Sequence, residues 1–473
     1  MEIEKIIDSF INFNNGCEYD ERTFKPQLIK KRYLYILKKI QVIDTDTIVA
    51  LKVKDKLNYF LAILACMRAN ITYVPLGIHW PSEYINKIKK KSNFKIIIDD
   101  NFFKKTKINK KKNFKNHLLY LMFTSGSTGE PKGCAIPKSA YLNFLKWVKN
   151  SFSKIKKSQK IILNTNFTFD VSLMEIAVLI LNKNKFVLSN YDSPFHLFQN
   201  IAKKKINILC LVPNSLDLLL NFSKNEDTSF KNLKYLFVAG SQFYSSLYNK
   251  IKKKASFRNC KIYNCYGPTE ATIYCSFKKV NLKKELIVNN NISIGKQIKG
   301  NILKIKDLKN NKFITKGRVG ELYISGNQTM IGYENLRDNG LIKIGNKKYY
   351  PSGDLTKKIN GNLYILGRID DTIKTSGHRV NLSTLDNVLQ KNKVILHTKT
   401  LSIKDKLRDN IIVTFIVGKA TKFTEKQLLN SSYNYLKKKL PKYYLPHKII
   451  IKKKLPVGLS GKIDKNKLLK SIY

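Results

Sequence analysis

Acidic side chains are scarce in this chain: 33 Asp and Glu stand against 88 Lys and Arg, for a net charge of +55. An excess of that size ordinarily points to nucleic acid or anionic membranes. The lysines, however, come as short runs spread along the whole chain, at Lys89 to Lys91, Lys203 to Lys205, Lys252 to Lys254, Lys437 to Lys439 and Lys452 to Lys454. A single basic face with interleaved aromatics is missing, and so is any zinc-finger spacing. The charge therefore reads as a compositional bias, and specific nucleic-acid binding is not expected. Cysteine is sparse too. Seven residues (17, 66, 134, 210, 260, 265 and 275) form no CxxC pair, which argues against a disulfide framework and suits reduced thiols in a cytoplasmic protein. The longest apolar run, VSLMEIAVLIL at 171–181, is too short to span a bilayer. The start, MEIEKIIDSFINF, has no basic region followed by an apolar core, so no signal peptide is expected.

What is present is enough apolar material for a large core: 473 residues, 43% of them hydrophobic, which suggests two to four domains or subdomains. From Thr47 to Asp99 the pattern is strand, helix, strand, in DTIVALKV, LNYFLAILACMRAN and FKIIID. The alternation recurs at KIILNT, INILCLV, LKYLFVAG and CKIYNCYG, as in an α/β domain with a largely parallel sheet. After about residue 285, short strands with Gly and Asn turns indicate a β-rich subdomain. Beyond Asp370 come helix, strand, helix and strand. The expected fold is α/β: a large N-terminal domain, residues 1–369, of parallel-sheet α/β subdomains plus a β-rich subdomain, then a small mobile α+β domain, residues 370–473.

The most informative segment runs from Leu118 to Leu145. A β-like stretch leads into Thr124, Ser125, Gly126, Ser127, Thr128, Gly129, Glu130, Pro131, Lys132 and Gly133. Three glycines let backbone amides turn toward an anion, hydroxyls add donors, and Lys132 adds positive charge, a combination suited to polyphosphate. It does not fit GxxxxGK[ST], since Lys132 precedes Gly133 and follows a proline. A second feature is FTFDVSLMEI, Phe167 to Ile176, where one carboxylate, Asp170, sits in an apolar run. Such a charge must find a partner or be protonated. A local reading makes Asp170 the cap of a helix opening at Val171, with Glu175 nearby.

With YNCYGPTEAT (263–272), GELYISGNQTMIGY (320–333), YYPSGDL (349–355), GRIDDTIKTSGHRV (367–380) and LPVGLSGKIDK (455–465) following in order, the sequence resembles the adenylate-forming, AMP-binding superfamily. Its members include acyl-CoA synthetases, luciferases, peptide-synthetase adenylation domains and D-alanine carrier-protein ligases. The resemblance covers nearly the whole chain from about Thr47. It implies activation of a carboxylate by ATP as an acyl adenylate, with pyrophosphate leaving and a thiol later taking the acyl group.

The same resemblance implies roles residue by residue. The loop Thr124, Ser125, Gly126, Ser127, Thr128, Gly129 and Lys132 would bind the β- and γ-phosphates. Tyr266 would stack on adenine beside Gly240, Thr269 would contact phosphate, and Glu270 would coordinate Mg²⁺. Asp354 and Arg368 would hold the ribose, and Lys462 would bridge the substrate carboxylate and the α-phosphate. Asp370 matches the hinge position, and Gly377 and Arg379 lie on the face used for thioester formation. In the amino-acid-activating branch a segment FDxS carries the aspartate that pairs with the α-ammonium, and Phe169 to Ser172 reads FDVS. The cation for Asp170 would then be the substrate. The side-chain pocket would be lined by Val171, Met174, Phe237, Ala239, Cys265, Ile273 and Tyr274, which carry no charge and suit a small or apolar amino acid. Met174 is similar to the D-alanine ligases.

Two segments depart from the family pattern. The usual GGE is Ala239-Gly240-Ser241-Gln242, and Asn381 and Asp386 stand where glutamates are usual. No phosphopantetheine-bearing serine segment follows Lys462, so the acceptor is expected to be CoA or the phosphopantetheine of a separate carrier protein. The C-terminal lysines would attract an acidic carrier, although the compositional bias explains them equally well. Two other functions stay open: an acyl- or aryl-CoA ligase, whose substrate has no ammonium, and a basic nucleic-acid-binding protein on a degenerate enzyme fold.

Overall fold

The computed structural model describes residues 1–104, 118–125, 130–189, 194–223, 229–310, 312–314, 317–334, 339–369, 372–375, 377–405, 409–419, 423–456 and 463–472. Two compact units emerge. One comprises Met1–Ile78, Ser92–Phe123 and Gly133–Ile369, and the other comprises His79–Lys91, Thr124–Lys132 and Asp370–Tyr473.

The first unit is built around a sheet with nine strands among the described residues. Its six inner strands run parallel in the spatial order Lys261–Tyr266, Tyr235–Val238, Ile208–Leu211, Lys160–Leu163, Lys185–Leu188 and Cys17–Tyr19. Antiparallel strands close both edges, Ser276–Lys279 and Lys296–Gln297 at one and Arg22–Phe24 at the other. The inner strands are runs such as ILCL and YLFV that are buried at every position, as expected for parallel strands covered on both faces. From Lys160–Leu163 the chain first adds Lys185–Leu188 on one side, then crosses to Ile208–Leu211 on the other and continues outward. Such a reversal is where an α/β sheet opens a crevice at the carboxyl ends of its strands.

A second sheet, with six strands among the described residues, holds Ile96–Ile98, Val49–Leu51, Tyr73–Pro75 and Leu118–Ser125 in parallel, with Pro131–Pro137 and Gly332–Tyr333 continuing it. The helix Lys56–Ala69 opens under an Asp55 cap, whose carboxylate accepts from Asn58 N at 2.7 Å. Ten consecutive apolar positions from Leu57 to Met67, leaving aside Asn58, are buried, so this helix is core all round. The β-rich part expected after residue 285 is antiparallel: Asn301–Lys306, Val319–Gly326, Lys347–Ile359 and Asn362–Arg368 pair in succession.

Within the second unit, the hairpin Thr372–Thr375 and His378–Asn381 precedes the helix Leu382–Leu389. The strands Ile395–Asp405, Asp409–Gly418 and Lys448–Ile451 form a sheet with the helix Glu425–Lys439. The eleven-residue strand Ile395–Asp405 is an addition to the pattern read from sequence. A bulge at Ile395 to His397 breaks its alternation, and period-2 spacing is the signal that reveals a strand.

Candidate active site

Three loops that follow parallel strands of the nine-stranded sheet carry the candidate residues. Asn164 to Asp170 follows Lys160–Leu163, Ala239 and Gly240 follow Tyr235–Val238, and Gly267 to Tyr274 follows Lys261–Tyr266. The sheet topology therefore delivers Asp170, Gly240, Tyr266, Thr269, Glu270 and Ile273 to one edge.

Asp354 is the centre of a tight network. It lies directly across the ladder from Arg368, and the guanidinium Nη1 donates to Asp354 Oδ1 at 2.7 Å and to the Ser352 carbonyl at 3.0 Å. Tyr266 Oη donates to Asp354 Oδ2 at 2.5 Å. Burial pushes the Tyr266 phenol well above its ordinary pKa, and the charge of Asp354 adds to that, so Tyr266 stays a hydrogen-bond donor. Gly353 shapes the approach. At φ +73°, a Cβ there would lie 2.6 Å from Arg368 Nη2.

From Tyr266 the chain makes a compact turn. A Cβ on Gly267 would fall 2.4 Å from the Ile273 carbonyl oxygen, so only glycine lets the two limbs meet. Thr269–Ala271 is a single 3-10 turn that opens after Pro268 without a side-chain cap. The Glu270 carboxylate is fully buried and accepts from Tyr333 Oη at 2.6 Å. Thr272 and Ile273 both have positive φ, 53° and 71°, which is uncommon for β-branched residues and marks stored strain. Gln328, also fully buried, holds them there: its Nε2 donates to the carbonyls of Thr272 (3.1 Å) and Tyr274 (2.7 Å), and Thr272 Oγ1 donates to the Gln328 carbonyl at 2.6 Å.

Asp170 is 7% exposed and precedes the helix Val171–Asn182. Its own backbone is already helical (φ −64°, ψ −25°), and its side chain makes no hydrogen bond to the helix N-terminus. The local capping role is thus not what the fold uses. Its charge instead acts on the buried phenols of Tyr120 and Tyr274, whose pKa values burial raises first and Asp170 raises further. Met174, Phe237, Ala239, Cys265, Ile273 and Tyr274 are buried in the same apolar cluster, with Val171 packed against it. Burial also pushes the Cys265 thiol up, leaving it a neutral wall.

Thr124 and Ser125 end the strand Leu118–Ser125, and Lys132 is the second residue of Pro131–Pro137. Gly377 (φ 82°) makes the turn before His378–Asn381, in which Arg379 pairs with Lys374. The His378 ring stacks on Tyr443 at 3.9 Å, and burial pushes its pKa down to about 3. Gly126, Ser127, Thr128, Gly129, Asp370 and Lys462, and the side chain of Ser125, lie outside the described residues.

Sequence reasoning missed Lys56, Gln328 and Tyr333, and gave Glu175 only a place near a helix start. Glu175 is fully buried. It accepts from Thr165 N at 3.1 Å on both oxygens and from Thr165 Oγ1 at 2.8 Å. A signal existed: Glu175 is the lone charge inside VSLMEIAVLIL, and a charge in a run that is apolar all round must be held by something.

The fold is that of adenylate-forming enzymes, as the adenylation domain AlmE of Vibrio cholerae in complex with glycyl-adenosine-5'-phosphate shows. It superposes with a TM-score of 0.85 at 19% identity, over 100% of this chain and 97% of that one. The family model described as AMP-binding enzyme matches residues 100–334, and the chain is an adenylate-forming enzyme of this AMP-binding ligase family. Gramicidin S synthase 1 of Brevibacillus brevis is 27% identical over 96% of the chain, which spans only 42% of that protein. A "D-alanine--D-alanyl carrier protein ligase" of Bacillus cytotoxicus is 23% identical over 88% of the chain and 87% of its own length. No described helix is long and apolar enough to cross a membrane.

Proposed function

We propose that this enzyme activates an amino acid with a small or apolar side chain, D-alanine among the candidates, as aminoacyl-AMP and passes it to a thiol. The observation that carries the reading is the buried Asp170 carboxylate, on a loop at the strand ends that also bear Tyr266. An acyl or aryl acid has no group for a carboxylate there, whereas an amino acid brings its α-ammonium. The uncharged wall of Met174, Cys265, Ile273 and Tyr274 favours a small or apolar side chain. The "D-alanine--D-alanyl carrier protein ligase" and the glycyl adenylate in AlmE support the same substrate class.

In this reading Tyr266, with its hydroxyl tied to Asp354, packs on adenine, and Asp354 and Arg368 receive the ribose hydroxyls. Thr124 to Gly129 and Lys132 bind the phosphates, with Thr269 beside them. The buried Glu270 offers the hard oxygen that Mg²⁺ prefers, and the ion, when bound with ATP, neutralises phosphate charge. Lys462 stabilises the charge that develops between carboxylate and α-phosphate. The mobile domain expected at residues 370–473 then brings Gly377 and Arg379 to thioester formation. The thiol belongs to the phosphopantetheine of a separate carrier protein, or to CoA, and the reaction needs neither nucleic acid nor a membrane.

A pyrophosphate-exchange panel tests this, with both enantiomers of small and apolar amino acids set against fatty and aromatic acids. Exchange with amino acids is expected, and Asp170→Asn should raise the amino-acid KM about a hundredfold while leaving the ATP KM within about twofold. That size follows from about 3 kcal/mol for a desolvated charge that loses its partner. Exchange confined to fatty or aromatic acids would sink the reading in favour of a CoA ligase.

A further inference from the structure

Two ionisable side chains, the half-buried Lys56 and the fully buried Glu175, hold the segment that leads to Asp170, and none of the roles above uses them. Lys56 opens the helix Lys56–Ala69, and its ammonium donates to the carbonyls of Leu163 (3.1 Å) and Ser189 (2.8 Å), one at the end of each of two adjacent parallel strands. The same ammonium sits over the Phe167 ring, 5.7 Å from its centre, and Tyr59 packs edge-on to that ring at 5.2 Å. From the other side, Glu175 takes the backbone and side-chain donors of Thr165. Asn164 Nδ2 donates to the Cys210 carbonyl at 2.7 Å, and Asn166 Oδ1 accepts from Thr168 N and Oγ1, each at 3.0 Å. The segment from Asn164 to Asp170 is thus tied at several points, and its anchors Lys56 and Glu175 come from different helices. Burial raises the pKa of Glu175, an effect the Thr165 donors and the charge of Lys56 oppose. Burial lowers that of Lys56, which Glu175 opposes.

We propose that Lys56 and Glu175 are positioning residues for amino-acid recognition, clamping the segment from Asn164 to Asp170 so that the Asp170 carboxylate is already in place when the ammonium arrives. This rests on the reading of Asp170 as the ammonium-binding carboxylate. Pre-organised charge is stronger than charge that must be ordered during binding. The clamp therefore acts on the amino acid and not on ATP.

The test compares Lys56→Met, Glu175→Gln and Thr165→Val with Asp170→Asn and the parent enzyme. Hydrogen–deuterium exchange of residues 164–170 reads the clamp directly, and pyrophosphate exchange reads the KM for amino acid and for ATP separately. The clamp variants should exchange tenfold or more faster in that segment and raise the amino-acid KM tenfold or more, with the ATP KM within twofold. Lys56→Arg should restore part of the loss. A parallel rise in both KM values together with a lower melting temperature would assign the pair to bulk stability and overturn the proposal, as would an unchanged amino-acid KM. An Asp170→Asn variant with unaltered amino-acid KM would instead overturn the ammonium reading itself, whatever the clamp variants do. If Glu175→Gln fails to fold, Thr165→Val removes the hydroxyl end of the same contact and carries the test.

Discussion

Asp354, Arg368 and Tyr266 show how single side chains acquire a role from their surroundings. Apart from the family motif, an aspartate in a turn and an arginine two strands' length away are ordinary surface residues. Cross-strand register places them opposite one another, and a 2.5 Å bond from Tyr266 fixes the second carboxylate oxygen. Charge-assisted hydrogen bonds of this kind are the strong ones. The weak point is a residue with no side chain: Gly353→Ala puts a methyl 2.6 Å from the Arg368 guanidinium at a φ of +73°. It should raise the ATP Kd about tenfold or more, matching Arg368→Ala, with little change in amino-acid KM; titration calorimetry with ATP checks it. An unaltered ATP Kd would mean that the Arg368–Asp354 pair is not part of the nucleotide site. At this scale the motif residues were legible in the sequence. The roles of Gln328 and Tyr333, which lie inside the quoted segment 320–333, and of Lys56 were not, because their partners lie 56, 63 and 107 positions away.

Among the elements, the turn from Gly267 to Tyr274 is the most demanding. Two successive β-branched residues at positive φ, Thr272 and Ile273, persist only where neighbouring groups over-determine them. Gln328 is that determinant, and Asn301 Nδ2 at 2.8 Å and Asn143 Nδ2 at 3.1 Å hold its own side-chain oxygen. Gln328→Leu keeps the volume and strips donors from two buried carbonyls. Each unsatisfied group costs about 1–3 kcal/mol, so urea unfolding should show a loss of roughly 2 kcal/mol or more. The amino-acid KM should rise, since Ile273 and Tyr274 then lose their support. Unchanged stability would show that the turn holds its shape without Gln328. Most elements were readable beforehand, because runs such as YLFV and ILCL suit only fully covered strands. The strained turn was not, since nothing in ATIY announces a left-handed threonine.

Across the whole molecule the surplus of lysine gives each acid unusual weight. Glu18, on the strand Cys17–Tyr19, meets Lys160 at 2.7 Å, Lys204 at 3.1 Å and Lys185 at 3.2 Å, and so fastens the amino-terminal hairpin to the main sheet. Burial pushes its pKa up, but the three ammonium groups outweigh that and hold it down at about 2. The unfolded value is about 4.3. Stabilisation is therefore complete above about pH 4.3 and is lost as pH falls toward about 2. Glu18→Gln should melt lower than the parent at pH 7, and the gap should close between pH 4 and 2; a gap that persists at pH 2 would remove the ionic explanation. By itself the sequence determined the family and the α/β fold class, with parallel sheet followed by a β-rich part, since those depend on short-range pattern and on motifs whose chemistry needs particular side chains. Only the tertiary structure decided that Asp170 does not cap its helix, that Glu175 turns back to Thr165, and that Lys56 reaches across to the carbonyls of two other strands. Those choices are made by burial and by hydrogen bonds between segments far apart in the chain, where the cost of an unsatisfied charge selects the partner.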